Sequence, residues 1–172
     1  VHTEHWSGMA NPVSVSKLWA AFAGLRNVLK LPAAVTAVSS DQAADLARFA
    51  RPGAMHVVPN VVERHGELAT RQGGDADLRL VSVGGLIDRK RPRLALEAVR
   101  LLNERGIQAK LTWVGDGPLR TELETTARNV GLSQRFTVTG LVAPEQVREE
   151  LRKGDIFVLP TEHETFCVAA AE

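Results

Sequence analysis

At 172 residues with 44% hydrophobic side chains, the chain suits one ordinary domain or pieces of two, and it can bury a sizeable core. Its 21 basic and 20 acidic residues leave a net charge of +1, so no imbalance points to nucleic acid or an acidic membrane. The single cysteine, Cys167, excludes an internal disulfide framework and fits a reducing compartment, and no apolar run approaches the roughly 20 residues of a membrane span. The expected location is cytoplasmic. The run Ala169-Ala-Ala-Glu172 carries no helix stop signal, so the sequence is expected to be cut from something longer.

In chain order, residues 1–6 read as a strand end or a loop, and 7–12 as a loop. Leu18, Phe22, Leu25 and Leu29 fall at helical spacing and predict an amphipathic helix over 13–30, ended by Pro32. A buried strand is expected over 33–38. Ser39, Ser40 and Asp41 supply N-cap residues for a helix carrying Leu46 and Phe49, and a further strand follows at 55–58. Residues 61–77 lack hydrophobic periodicity and are rich in charge and glycine, which makes them the expected linker. Regular alternation then begins, with strands at 78–83, 109–114, 136–139 and 156–159. Helices are expected at 92–105 and 118–130, and a third from Pro144, with Val147 and Leu151 inward. Repeated strand and helix with short loops predicts an α/β fold: a Rossmann-like parallel sheet with helices on both faces.

The chemistry gathers at strand ends. Gly84-Gly85 closes the first strand of the second half and leads into Leu86-Ile-Asp-Arg-Lys-Arg91, where exposed amides, a helix N-terminus and cations suit an anion such as diphosphate. A tight turn with a solvated basic loop is the plainer alternative. The cation run is short and lacks aromatic interleaving, so nucleic acid is not expected as a partner. Val114-Gly115-Asp-Gly-Pro118 follows a strand and opens a helix. Arg120 occupies the third-glycine position, so the dinucleotide fingerprint fails, and Asp116 remains a candidate cap.

In the last stretch, Leu159-Pro-Thr-Glu-His-Glu164-Thr-Phe166-Cys167-Val168-Ala-Ala-Ala-Glu172, a strand delivers a polar loop to a small-residue helix. On one helix Glu164 and Glu172 would share a face about 12 Å apart; they are either binding carboxylates or solvated ones. His2 and His5, and His163 with Cys167, lack the further ligands of a metal site, so none is expected. Cys167 itself reads as a small packing residue.

Taken together, several segments resemble the retaining, nucleotide-sugar-dependent glycosyltransferases of family 4, which have the two-Rossmann-domain GT-B fold. The matching order is Val57-Val-Pro-Asn60, Val83-Gly84-Gly-Leu86 leading to Lys90, Val114-Gly-Asp-Gly-Pro-Leu119, Val138-Thr-Gly140, Asp155-Ile-Phe-Val-Leu-Pro160 and Glu164 through Glu172. The resemblance implies that 1–60 is the tail of an N-terminal acceptor domain, 61–77 a linker, and 78–172 an incomplete donor-binding domain. It implies a hexosyltransferase-type enzyme with a nucleotide diphosphate sugar as substrate, an unknown acceptor hydroxyl, no cofactor and no essential metal. Peripheral membrane contact through the missing part of the N-terminal domain is a further expectation.

The resemblance also implies roles. Lys90 would bind the donor diphosphate, Glu164 hydroxyls of the transferred sugar, and Glu172 the ribose hydroxyls. Phe166, Cys167 and Val168 would offer backbone amides, Gly84, Gly85 and Gly115 would line the donor, and His2 would sit beside the donor sugar. Two positions depart from the pattern. Gly85 stands where the family usually has Arg, leaving Arg89 or Arg91 as candidate replacements, and Cys167 stands for a common Gly. The expectation is an inactive fragment of such an enzyme. The rivals are a non-catalytic nucleotide-sugar-binding or assembly module, and a GT-B epimerase or phosphorylase.

Overall fold

Short runs of β-branched and apolar residues become parallel strands in both halves of the chain, because helical crossovers cover their faces. The computed structural model describes residues 2–4, 21, 23–62, 77–162, 164 and 166–171. The chain divides into two compact units, Val1–Glu63 with His163–Ala171, and Arg64–Glu162 with Glu172.

In the first unit, β1 (His2–Glu4), β2 (Val35–Ala37) and β3 (Met55–Val57) form a parallel sheet in that order. Helix α1 (Ser40–Ala47) connects β2 to β3. Its N-cap is Ser39, whose hydroxyl accepts the Gln42 amide at 3.2 Å, as the Ser-rich run predicted. Leu29, Val35, Leu46 and Ala50 form the core.

The helix expected over 13–30 is corrected where it is described: Ala23–Lys30 is a 3₁₀ helix. A three-residue period no longer places Leu25 and Leu29 on one face. Leu29 is buried, whereas Leu25 is 58% exposed. Arg26, one 3₁₀ turn before Leu29, stacks 4.3 Å from the Phe49 ring. Most of the predicted linker, 63–76, lies outside the described residues.

The second unit holds β4 (Leu78–Val83), α2 (Pro92–Glu104), β5 (Ala109–Val114), α3 (Arg120–Asn129), β6 (Phe136–Val138), α4 (Pro144–Lys153) and β7 (Ile156–Phe157). All pairings are parallel, in the order β6-β5-β4-β7. The face made by Leu78, Leu80, Ala109, Leu111, Trp113 and Phe136 packs on Ala95, Leu96 and Val99 of α2 and on Leu123 and Ala127 of α3. Strand alternation sends Arg79, Val81, Lys110 and Thr112 to the opposite face, where α4 lies against β4 and β5. Helix α4 has no fully buried residue. Pro144 is its first residue, as expected, and Val147 and Leu151 are half-buried.

At the amino ends of the strands, Asp155 locks β7 to β4. Its carboxylate accepts the Arg79 amide at 2.8 Å and pairs with the Arg79 guanidinium at 3.2 Å. Asp77 likewise pairs with Arg135 at 3.2 Å and Lys110 at 3.5 Å, which join β4, β5 and the approach to β6.

Candidate functional site

The strand order creates a switch point. From β4 the chain crosses over α2 to β5 on one side, and from β6 it returns over α4 to β7 on the other side of β4. In an open α/β sheet, a crevice opens at such a point, outside the carboxyl ends of the strands. The loops after β4 and β7 border it. The one-step extension of β7 is held by Val158 N donating to Val81 O at 2.8 Å and by the buried Ser82 hydroxyl donating to Val158 O at 2.6 Å.

The loops after β4 and β5 are bound together backbone to backbone. Gly84 N donates to Val114 O, Leu86 N to Asp116 O (both 2.9 Å) and Leu119 N to Leu86 O at 3.2 Å. The indole Nε1 of Trp113 donates to Gly84 O at 2.8 Å. This contact needs glycine. Gly115 has φ +139, and a Cβ there would run into the Gly84 carbonyl. At Gly117 a Cβ would sit 2.6 Å from Leu86 O. Gly85 is different: its nearest neighbours to an added Cβ are Asp116 O at 3.8 Å and the Ile87 Cγ2 at 3.9 Å, which are ordinary contacts, and its φ is not left-handed. Nothing steric requires glycine at 85.

Lys90 ends a 3₁₀ turn, Asp88–Lys90, and folds back along Gly84. A Cβ added at Gly84 would meet Lys90 Cε at 3.5 Å and Nζ at 3.9 Å. Arg91 follows in the left-handed region, φ +47 and ψ +49, and is the only non-glycine residue with positive φ among the described residues. Such a conformation costs on the order of 1–3 kcal/mol and persists where neighbours over-determine it. Here Arg91 N donates to Asp88 O at 2.9 Å and Leu94 N to Arg91 O at 3.0 Å, while Pro92 opens α2.

The loop after β7 holds the same turn from the other side. Glu162 N donates to Arg89 O at 2.9 Å, the Thr161 hydroxyl to Arg89 O at 3.3 Å, and the Glu162 carboxylate pairs with Arg91 at 3.0 Å. Arg93 braces the base of the turn, bonding Asp88 at 2.6 Å and Glu122 of α3 at 2.6 and 2.7 Å. Those two carboxylates push the Arg93 guanidinium further up, Glu122 more than Asp88.

Asp116, expected as a cap for the following helix, does something else. Its Oδ1 accepts the Gly117 amide at 2.8 Å and its Oδ2 pairs with Arg120 at 3.0 Å, while α3 begins after Leu119 without a side-chain cap. The Gly117 amide, and then the Arg120 guanidinium, hold the Asp116 carboxyl below its ordinary value.

Thus Gly84, Gly85, Lys90, Arg91 and Gly115 lie in one unit, on loops bonded to each other. Of the remaining predicted residues, His2 lies on β1, Glu164 is exposed, and Phe166 and Cys167 are half-buried outside regular structure. Val168 opens α5 (Val168–Ala171), and Glu172 is outside the described residues.

The expectation of one helix carrying Glu164 and Glu172 is corrected: α5 starts four residues after Glu164. Its first backbone bond is Ala170 N to Cys167 O at 3.2 Å. The alanines are strong helix formers, whereas the preceding Thr165-Phe166-Cys167 run is weaker. Among the described residues no group of three or more His, Cys, Asp or Glu side chains could hold a metal ion.

Trp113, Glu162 and Arg93 were not singled out from the sequence. Trp113 carried one usable signal, a polar N–H in a strand position directly before Val114-Gly115. Two concavities of the second unit lie elsewhere. One of about 450 Å³ is bordered by Arg100, Asn103, Val130 and Arg135, and one of about 330 Å³ runs between α2 and α3 past Leu94, Leu96 and Leu123.

The second unit is thus a parallel α/β sheet with two glycine-bearing loops and a run of cations at its switch point. The model of the glycosyl transferases group 1 family matches residues 72–172, more than half of the chain, and the chain belongs to that family. It is 31% identical over 109 residues to alpha-D-kanosaminyltransferase of Streptomyces kanamyceticus, covering 63% of this chain and 28% of that protein. It is 33% identical over 99 residues to the GDP-mannose-dependent alpha-(1-6)-phosphatidylinositol dimannoside mannosyltransferase of Mycobacterium tuberculosis, covering 54% of this chain and 24% of that protein. The chain therefore spans about a quarter of the length of these relatives. In fold it matches S. aureus TarM, solved in complex with fondaparinux, alpha-GlcNAc-glycerol and UDP, with a TM-score of 0.77 at 13% identity, over 97% of this chain and 33% of that one. The α/β, GT-B-type architecture expected from the sequence is the one present.

Proposed function

We propose that the chain is the donor-binding part of a retaining hexosyltransferase that moves a sugar from a nucleotide diphosphate sugar to an acceptor hydroxyl. The observation that carries this reading is the β4–β7 switch point, where Lys90 lies along Gly84 and two glycine loops are bound together. In the reaction, the bond from the sugar's anomeric carbon to the diphosphate oxygen breaks, and the diphosphate leaves with added negative charge. Lys90 and the positive end of α2 favour that charge. Arg91 is the second cation of the site, in the role that Gly85 does not fill. Glu164 binds sugar hydroxyls, Glu172 the ribose, Phe166, Cys167 and Val168 supply amides, and His2 sits beside the sugar.

On this reading 1–60 belongs to the acceptor domain, 61–77 is the linker, and 78–172 belongs to the donor domain. The protein works in the cytoplasm, at a membrane surface. No metal or cofactor takes part. The chain by itself binds donor but does not transfer sugar. Thermal unfolding with uridine and guanosine diphosphosugars tests the reading. One of them is expected to raise the melting temperature, and no shift with any at millimolar concentration would contradict it.

A non-catalytic binding module is the second reading. Gly85 favours it, since an added Cβ there would make only ordinary contacts and no cation stands at that position. Sugar transfer by the full-length parent excludes it.

A further inference from the structure

The Gly84–Gly85 peptide has a defined direction. No peptide bond among the described residues is cis, so the carbonyl and the N–H of this unit point opposite ways. The Gly84 carbonyl points toward β5: it accepts the Trp113 indole N–H at 2.8 Å and lies against the α-carbon of Gly115. The Gly85 N–H therefore points away from β5, to the side of β4 where β7 lies. Among the described residues this amide donates to no acceptor, whereas its neighbours Gly84 N, Leu86 N and Ile87 N all do. Gly85 is only half-buried, so the amide can serve a ligand. The same loop brings Lys90 along Gly84 and opens α2, whose N-terminal end lies at this end of the sheet.

Backbone bonds hold the residues on either side of this peptide, and one side chain holds its carbonyl. Trp113 is 1% exposed, and its ring packs in the core between the sheet, α2 and α3. A leucine or phenylalanine could fill that space, but only the indole supplies a donor to the Gly84 carbonyl. Without it the carbonyl loses its partner, and the Gly84–Gly85 peptide, flanked by a glycine at φ +141, loses the bond that sets its direction.

We infer that Trp113 is a positioning residue: its indole N–H fixes the Gly84–Gly85 peptide so that the Gly85 amide faces the β4–β7 crevice and donates to a diphosphate oxygen. This assignment rests on the donor-binding reading above.

The test uses this chain, labelled with ¹⁵N-glycine and titrated with inorganic pyrophosphate. The Gly85 resonance is identified by its loss in Gly85→Ala. Pyrophosphate is expected to move the Gly85 amide proton downfield. In Trp113→Phe that shift disappears and pyrophosphate binds about tenfold more weakly, the loss of roughly one hydrogen bond to a charged group. Should Trp113→Phe fail to fold, benzothienylalanine at position 113, which keeps the ring shape and lacks the N–H, takes its place with the same expectation.

Pyrophosphate binding that depends on Lys90 but leaves Gly85 unshifted, or that survives loss of the indole N–H undiminished, overturns the inference and leaves the diphosphate reading standing. Absence of any pyrophosphate or UDP binding overturns both.

Discussion

The two ends of the second sheet are fastened by different chemistry. At the amino ends, side chains of opposite charge close on each other: Asp155 with Arg79, and Asp77 with Arg135 and Lys110. At the carboxyl ends, the β4 and β5 loops are fastened by backbone bonds, two glycine approaches and one indole N–H. The first scheme uses its charges to hold strands together. The second joins the two loops to each other with neutral groups and leaves the Gly85 amide out of that fastening, while the Arg93 and Arg91 ion pairs brace the turn after β4 from its outer side. On the proposed function, that difference separates a structural end from a ligand end at the strands' carboxyl termini.

The comparison breaks most visibly at Gly115. Gly115→Ala adds a Cβ against the Gly84 carbonyl at a backbone φ of +139, and it is expected to cost about 3 kcal/mol or more. Gly85→Ala, with only ordinary contacts, should change stability by less than about 0.5 kcal/mol. Urea unfolding of the two variants reads the contrast, and equal losses would mean that the glycine fastening is not what distinguishes these positions.

The amino end is sharpened by pH. Arg135, and then Lys110, hold the Asp77 carboxyl below its ordinary value. A depressed folded value means the stabilisation is present in full above the unfolded value of about 3.9 and is lost as pH falls through the folded one. Wild type should therefore lose stability in acid below about pH 4 more steeply than Asp77→Asn. Parallel acid limbs for the two proteins would remove Asp77 from the account.

The smallest effect belongs to Glu162. Its exposed pair with Arg91 sets a carboxylate beside the proposed diphosphate cations. An exposed pair is worth only about 0–1 kcal/mol, so Glu162→Gln should tighten pyrophosphate binding by about two- to threefold in calorimetry. Weaker binding would instead make Glu162 a brace for the Arg89–Arg91 backbone.

Much of the frame was legible because apolar residues alternate with polar ones along strands that bury one face deeply. β4 and β5 occupy the residues their sequences predicted, 78–83 and 109–114, and Pro144 opens α4 as its type suggests. The Gly84-Gly85 pair and the cations after it were picked out from residue chemistry alone, and the structure places Lys90 along Gly84.

Distance effects were not legible. Gly115 and Gly117 are glycines because another loop, some thirty residues away in sequence, presses on them. The Glu162–Arg91 pair joins two strand ends that only the β4–β7 neighbour relation brings together. Helical spacing also misled at Leu25, where a 3₁₀ period replaced the α period and turned the side chain outward. The Glu164 and Glu172 pair lost its single-helix geometry because α5 does not begin until Val168.

The most direct test of the central claim is a calorimetric titration of this chain and its Lys90→Ala variant with UDP and GDP at one fixed salt concentration. The account predicts binding of at least one nucleotide by the wild type, weakened about tenfold when the lysine ammonium is removed. Equal affinities in the two proteins would contradict a diphosphate site at the β4–β7 crevice.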